Sequence, residues 1–328
     1  MLILNRSQVE ALLDPDQLRE ALGPVMVEVS AGRVSMPART AAMVGDRKGL
    51  LGAMSAYVGS SRVLACKLVS VFAGNATLGL PTHQAAVLLF DPDTGKPLAM
   101  LDGESITALR TAAGSALATR LLARADASVL LIIGTGVQAR VHAFAIARVR
   151  KLRKIRVAGR EPERTAAFVK EVQERLDIPM QSCPLTRDSY AGADIVCAAT
   201  NAEEPVVPGE WLEPGMHVNS VGLNPVGREV DEEAIIKSRV VVESRQAALN
   251  PPPSGANDLV YPIRDGLICV EHIHAEIGEI LAGKRPGRTS ETQITLYKSV
   301  GIAAQDAVAA QLAYDAARRQ GIGLEVAF

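Results

Sequence analysis

A chain of 328 residues with a formal net charge of −1 is long enough for two domains and has no basic footprint for a nucleic acid. Aromatics make up only 3 % of it, too few for a base-stacking platform, so Ala, Val and Leu must fill the core. No apolar run reaches the ~20 residues that cross a bilayer, and the start, "MLILNRSQVEALLDPDQ", has no basic n-region, so neither a membrane span nor a signal peptide is expected.

Residues 7–31 place Val9, Leu12, Leu13, Leu18, Leu22, Val25, Met26 and Val29 at helical spacing. They predict one helix, with Asp14 and Asp16 as caps around Pro15. Between about 36 and 101 the segments "RTAAMV", "GLLGAMSAYV", "LACKLVSVF" and "AAVLLFD" read as strands. The turn "DPDTGKP" joins the last of them to "LAMLD" as a hairpin. This portion is expected to be α+β with an antiparallel sheet.

"GESITALRTAAGSALATRLLA" predicts a closely packing helix of small residues. From 128 onward apolar strands alternate with helices: "SVLLIIG" and a helix from Val137, "KIRVAG" and a helix over 162–176, then "ADIVCAAT", "MHVNSVG" and "RVVVES". Such alternation indicates a parallel sheet covered on both faces. "NPPPSGAND" (250–258) reads as a surface loop, and "EHIHAEIGEILAG" as a short helix. "ITLYKSVGIAAQDAVAAQLAYDAARRQG" is expected to be one long Ala-rich helix that returns to the first domain and makes it discontinuous. Cys66, Cys183, Cys197 and Cys269 are dispersed without a CxxC, which suits a reducing, cytoplasmic setting.

The sharpest local motif is "IIGTGVQA", Gly134-x-Gly136-x-x-Ala139, after a strand and opening a helix. Gly134 permits the tight turn, Gly136 lets the backbone approach a pyrophosphate, and Ala139 allows close helix–strand packing. The free N–H groups at the helix start then face the phosphates. The next strand ends in Gly159-Arg160, with Glu161 one place later. A planar guanidinium suits a 2′-phosphate, which favours NADP(H). With Glu161 on the ribose instead, the cofactor would be NAD(H).

Three cations stand in apolar or small-residue settings: Arg39 after "SMPA", Lys67 inside "LACKLVSVF" and Arg110 in "ITALRTAAG". Alone, each could be a structural ion pair or a snorkelling chain. Together in a dinucleotide enzyme they point to an anionic substrate: Arg39 for a carboxylate, and Lys67 as a proton donor if burial lowers its pKa. His83 reads as a loop histidine, and Arg228 as a surface charge paired with Glu229 unless it meets a second carboxylate. His272 and His274 are two apart, so a helix would separate them and no metal site is expected.

"ACKLVSVFAGNATLGLPTHQA", "DGESITALRTAAGSALA", "IGTGVQARVH" and "LYKSVGIAAQDAVAA" resemble the ornithine cyclodeaminase/mu-crystallin family, in order and over nearly the whole chain. That resemblance implies a homodimer. It implies a Rossmann-type doubly wound parallel sheet at 120–301, and a discontinuous α+β substrate-binding and dimerisation domain at 1–119 and 302–328. It places Arg39, Lys67 and Arg110 at substrate, and Arg110 also near cofactor. Thr82, Val137, Gln138, Thr200 and Ser299 match cofactor contacts. Val221, Gly222, Leu223 and Asn224 match the segment against the nicotinamide, and Arg160 the basic position of NADP-binding members.

Where the ornithine cyclodeaminases carry an Asp thought to activate amine or water, this chain has Asn224, which cannot accept a proton at neutral pH. The expectation is therefore NAD(P)H-dependent reduction of a small 2-imino acid or cyclic ketimine to an L-amino acid. Lys67 would neutralise the carboxylate or donate the proton, and Asn224 would orient the imine nitrogen. The alternatives are an ornithine cyclodeaminase forming proline and ammonia, and a non-catalytic mu-crystallin-like binding protein.

Overall fold

The computed structural model describes residues 1–45, 49–251 and 254–327, with the backbone alone at Ala76. Pro252 and Pro253 of the "NPPPSGAND" loop lie outside the described residues. The chain begins with β1 (Leu2–Leu4), α1 (Arg6–Leu12), α2 (Pro15–Ser30), β2 (Val34–Ser35) and β3 (Thr40–Val44). Strands β4 (Gly49–Val58), β5 (Val63–Val71), β6 (His83–Phe90) and β7 (Pro97–Asp102) precede α3 (Gly103–Leu122). Then come β8 (Val129–Ile133), α4 (Val137–Ala147), β9 (Lys154–Ala158), α5 (Pro162–Gln173), β10 (Met180–Cys183), α6 (Arg187–Tyr190), β11 (Ile195–Ala198) and β12 (His217–Ser220). They are followed by α7 (Glu232–Lys237), β13 (Arg239–Val242), α8 (Arg245–Ala248), α9 (Asn257–Arg264), β14 (Ile273–Glu276), α10 (Ile277–Leu281) and β15 (Thr295–Lys298). Helix α11 (Ala303–Gln320) and β16 (Leu324–Glu325) end the chain.

Two compact units result: Met1–Arg110 with Gly301–Phe328, and Thr111–Val300. In the first, the sheet runs β16-β1-β7-β6-β5-β4-β2, with β3 also on β4. Strands β4 to β7 form an antiparallel meander in which Lys67 pairs with Met54 on one side and Val87 on the other. Along β5 the buried positions alternate, and Lys67 shares its face with Val63, Ala65 and Val69. Helix α11 lies across β4, β5 and β6 and against α2. Its buried positions are mostly alanine (Ala303, Ala304, Ala307, Ala310, Ala313), so the helix axis can approach the sheet closely.

The second unit is an eight-stranded sheet in the order β10-β9-β8-β11-β12-β15-β13-β14, every pair parallel. The expected α/β architecture with a doubly wound parallel sheet is therefore present. Strand order reverses between β8 and β11, the place where such sheets leave a crevice for ligands. All five residues of β8 are buried, which explains its unbroken apolar run.

Several elements differ from the sequence expectation. The helix over 7–31 breaks at Leu13, because Pro15 has no N–H and Asp14 caps the new start by accepting from the Asp16 and Gln17 amides at 3.0 and 2.8 Å. Leu2–Leu4 forms an unexpected strand, parallel to β7 and antiparallel to β16. The segment expected as a short helix from Glu271 is α-helical only over Ile277–Leu281 (α10); before it come a 3-10 turn ending at His272 and β14, which buries Ile273 and Ala275 in alternation. The long C-terminal helix is instead a strand, β15, and then α11. Gly301 between them has φ 68°, a left-handed turn that no continuous helix accommodates.

Candidate functional site

In the first unit, β5, α3 and α11 bring Lys67, Arg110 and Asp306 together. Lys67 Nζ lies 3.3 and 3.4 Å from the two Asp306 carboxylate oxygens. Arg110 Nε donates to Asp306 Oδ1 at 3.0 Å, and Arg110 Nη1 to Gln305 Oε1 at 3.2 Å. Lys67, Arg110, Gln305 and Asp306 are all buried. Arg39, just before β3, donates from Nη2 to the Gly301 carbonyl. A Cβ on Gly301 would run into the Arg110 guanidinium, so both the left-handed backbone and the arginine require glycine there.

The electrostatics follow from burial. Desolvation is the largest influence on Lys67 and pushes its ammonium down. Asp306 pulls it back up, Arg110 and Arg39 push it down again, and the balance falls at about 8 rather than 10.5. For Asp306 burial alone would raise the carboxyl, but Lys67 and Arg110 outweigh it and hold it below its ordinary value. The first turn of α11, where Asp306 sits, also favours an anion.

His83 is not a loop residue: it opens β6, paired with Val71, on the face that carries Lys67. Burial first, then Lys67 and Arg110, lower it to about 4, so it is neutral at pH 7. Thr82, one residue before, is exposed, and its carbonyl accepts from the Phe72 amide at 2.9 Å.

The second unit presents the nucleotide loop. Gly134 follows β8 with φ 117°, and a Cβ there would stand 2.6 Å from the Ala199 carbonyl oxygen. Gly136 is the N-cap of α4 with no side-chain cap bond. A Cβ on Gly136 would meet nothing within 4 Å, so packing does not demand glycine at that position. The open space there leaves room for a ligand to approach the backbone closely. Val137 is exposed, and the buried Gln138 Oε1 has no hydrogen-bond partner among the described residues. These features fit a dinucleotide pyrophosphate. Arg160 and Glu161 are both exposed at the end of β9, and Arg160 has no ion-pair partner among the described residues.

The loops after β11 and β12 are tied together by Glu229. Its Oε1 accepts from the Thr200 amide at 2.6 Å and the Thr200 hydroxyl at 2.8 Å. Its Oε2 accepts from the Ser220 hydroxyl at 2.8 Å and the Gly222 amide at 2.7 Å. Glu229 is only 2 % exposed, which overturns its reading as a surface partner of Arg228. Arg228 pairs instead with Glu232 at 2.7 Å, one helical turn on. Beneath, Asp258 accepts from the Glu229 and Val230 amides and pairs with Lys298 at 2.8 Å.

Val221 donates its amide to the Ala198 carbonyl at 3.1 Å, and Leu223 packs on the apolar core. Asn224 Oδ1 accepts from the Val226 and Gly227 amides, each at 2.9 Å, and its Nδ2 donates to the Asn201 carbonyl at 3.2 Å. Its side chain thus builds the turn. After β15, the Ser299 hydroxyl donates to the buried Glu243 at 2.7 Å.

The structure thus brings Lys67 and Arg110 together on the Asp306 carboxylate and sets Arg39 on the Gly301 turn, within the first unit. Gly134, Gly136, Val137 and Gln138 share the head of α4, and Thr200, Val221, Gly222, Leu223 and Asn224 share the linked loops. Asp306, Gln305 and Glu243 are not singled out by the sequence, and Glu229 figures there only as a surface partner of Arg228. The one available signal was a lone acid inside the alanine run "GIAAQDAVAA". Among the described residues no cluster of His, Cys, Asp and Glu could hold a metal, and no helix is long and apolar enough to cross a membrane.

Comparison with known proteins gives the family and the fold. The model of the ornithine cyclodeaminase/mu-crystallin family matches residues 1–321. The ketimine reductase mu-crystallin of Mus musculus is 39 % identical over 285 residues, covering 87 % of this chain and 86 % of that protein. The structure of Thermococcus litoralis Delta(1)-pyrroline-2-carboxylate reductase in complex with NADH and L-proline is similar with a TM-score of 0.95 at 40 % identity, covering 99 % of this chain and 100 % of that one. An archaeal alanine dehydrogenase dimer with bound NAD gives a TM-score of 0.92 at 32 % identity, covering 100 % of this chain and 99 % of that one.

Proposed function

The chain belongs to the ornithine cyclodeaminase/mu-crystallin family, and from that premise we propose that it reduces a cyclic ketimine carboxylate or small 2-imino acid to the L-amino acid with NAD(P)H. Lys67 carries the reading: a buried ammonium beside two arginines, able to give up its proton near neutral pH. Relatives that act on ketimines and on pyrroline-2-carboxylate support the substrate class.

When bound, the reduced nicotinamide supplies a hydride for the imine carbon. The chain's residues do the rest. Arg39 clamps the substrate carboxylate, and Arg110 fixes its orientation. Lys67 donates the proton that the imine nitrogen needs, so that imino acid, NAD(P)H and one proton give amino acid and NAD(P)⁺. Holding the reactants in register supplies much of the rate. Gly134, Gly136, Val137 and Gln138 cradle the pyrophosphate, and Thr200, Val221, Gly222, Leu223 and Ser299 form the nicotinamide side, with Thr82 and Arg110 as further contacts.

NADP(H) is the preferred cofactor in this reading, because the exposed Arg160 guanidinium suits a 2′-phosphate. The first unit serves substrate and dimerisation, and the second serves the dinucleotide. A homodimer would bury Met43, Val44 and Leu51, which are exposed on β3 and β4. The four cysteines are free, in keeping with a cytoplasmic protein.

The test is oxidation of NADPH and of NADH with Δ1-pyrroline-2-carboxylate, its six-membered homologue, and 2-oxo acids with ammonia or methylamine. Reduction of the cyclic imines is expected. Release of ammonia and proline from ornithine would establish the cyclodeaminase alternative instead, and silence with every substrate would leave a binding protein.

A further inference from the structure

We propose that Asp306 is a positioning residue for this reduction: its single carboxylate fixes the spacing of the Lys67 ammonium and the Arg110 guanidinium and keeps Lys67 protonated for the incoming imino acid. The inference rests on the preceding reading, in which the imino acid is the substrate these cations receive.

Geometry carries it. Lys67 Nζ reaches both Asp306 oxygens at 3.3 and 3.4 Å, while Arg110 Nε takes one of them at 3.0 Å. Gln305, one residue earlier, holds Arg110 Nη1 at 3.2 Å. The three charges come from β5, α3 and α11, far apart in sequence, and none is more than 5 % exposed. Packing does not ask for them. Apart from Gln305, the neighbouring buried positions of α11 are Val308 and alanines, and those of β5 are Val63, Ala65 and Val69. Apolar side chains would serve the fold as well, since a buried ion pair adds little net stability.

Three charged groups act on Lys67: Asp306 from α11, Arg110 from α3 and Arg39 from the segment before β3; His83 on β6 is itself lowered by Lys67. His83 is neutral at pH 7, and Asp306 is the one anion among them. It alone opposes desolvation and two guanidinium groups. Without it the lysine would shed its proton at lower pH, and the site would lose both the attraction for a carboxylate and the acid for the imine nitrogen. In the step itself the Nζ–H bond breaks as the new N–H bond forms at the imine. The lysine is left neutral beside Asp306 and regains its proton from water before the next turnover.

The experiment measures the dissociation constant of pyrrole-2-carboxylate, a planar cyclic carboxylate, across the pH range with the active cofactor present. In the native enzyme, affinity should weaken through a midpoint near about 8. In Asp306→Asn the midpoint should fall by about 1–3 pH units, with affinity retained on the acid side. A uniform loss of affinity with an unmoved midpoint marks a merely structural role and overturns the proposal. Lys67→Met must abolish the midpoint, and its survival there overturns the proposal too. If the Asn variant does not fold, Asp306→Glu keeps the anion and must keep the midpoint; a fall defeats the idea. No binding by the native enzyme at any pH removes the imino-acid reading itself, and the proposal with it.

Discussion

Glu229 and Gly222 face each other across the turn that follows β12: the carboxylate accepts the Gly222 amide at 2.7 Å, and a Cβ on Gly222 would overlap that carboxylate. The same side chain holds Thr200 after β11. Glu229→Gln would turn an NH₂ group toward these donors and leave at least one unsatisfied, at about 1–3 kcal/mol. The expected result is a lower unfolding midpoint together with cofactor affinity weakened on the order of tenfold. Unchanged cofactor affinity in a destabilised variant would confine Glu229 to folding.

Lys67→Ala should abolish turnover and leave NADPH binding intact, since in the proposed reaction the lysine serves substrate. It also strands Asp306 with Arg110 alone, and breaking a buried pair costs about 3–5 kcal/mol. Steady-state rates are therefore to be read beside a melting curve. Near-normal turnover would remove Lys67 from the chemistry.

Arg160→Ala tests cofactor choice. A charge-assisted bond to a 2′-phosphate contributes about 1.5–3 kcal/mol, so kcat/KM with NADPH should fall about tenfold or more while the NADH value holds. Equal losses with both cofactors would refute a phosphate role.

Asn224→Asp restores the carboxylate that the family resemblance implies for the cyclodeaminases at this position. A carboxylate can still accept from the Val226 and Gly227 amides, but it loses the bond donated to the Asn201 carbonyl. We expect a folded protein, about 1 kcal/mol less stable, that releases no ammonia from ornithine. Ornithine cyclisation by this variant would make Asn224 a specificity switch rather than a turn former.

Stability should fall in acid. Burial lowers His83 and His142 to about 4 and His217 to about 3, from 6.5. Between those values and 6.5 the unfolded chain binds more protons than the folded one. Stability is then whole above about pH 6.5 and is lost as pH falls through 4 and 3. Urea midpoints measured from neutral to acid should show the decline, and His142→Gln should make it shallower. A slope that His142→Gln leaves unchanged would assign the loss to other groups.

Much of the fold was legible because its signals are local. The β8 run "VLLII" and the Gly134–Ala139 pattern need only near neighbours to be read. The misreadings lie where tertiary context decides. Strand β15, "TLYK", is buried between β12 and β13, but its sequence runs without a Pro into an alanine helix. Only the φ of Gly301 separates the two. Asp306 was hidden by the same error, since an acid in a long helix looks solvated until the helix is laid on β5. Glu229 looked like half of an exposed pair, and nothing in "VGREVD" shows that four donors from distant loops converge on it.

Helix α11 lies nearly 240 residues after the lysine it serves (306 − 67 = 239). On the ribosome, β4 to β7 are made long before it, and so is all of the second unit's parallel sheet but β15. Until α11 is synthesised, the face of β5 that carries Lys67 has neither its alanine cover nor its counter-ion. The nascent first half of this protein must therefore wait for its last helix, a period in which an incomplete sheet is open to chaperones and to its own kind.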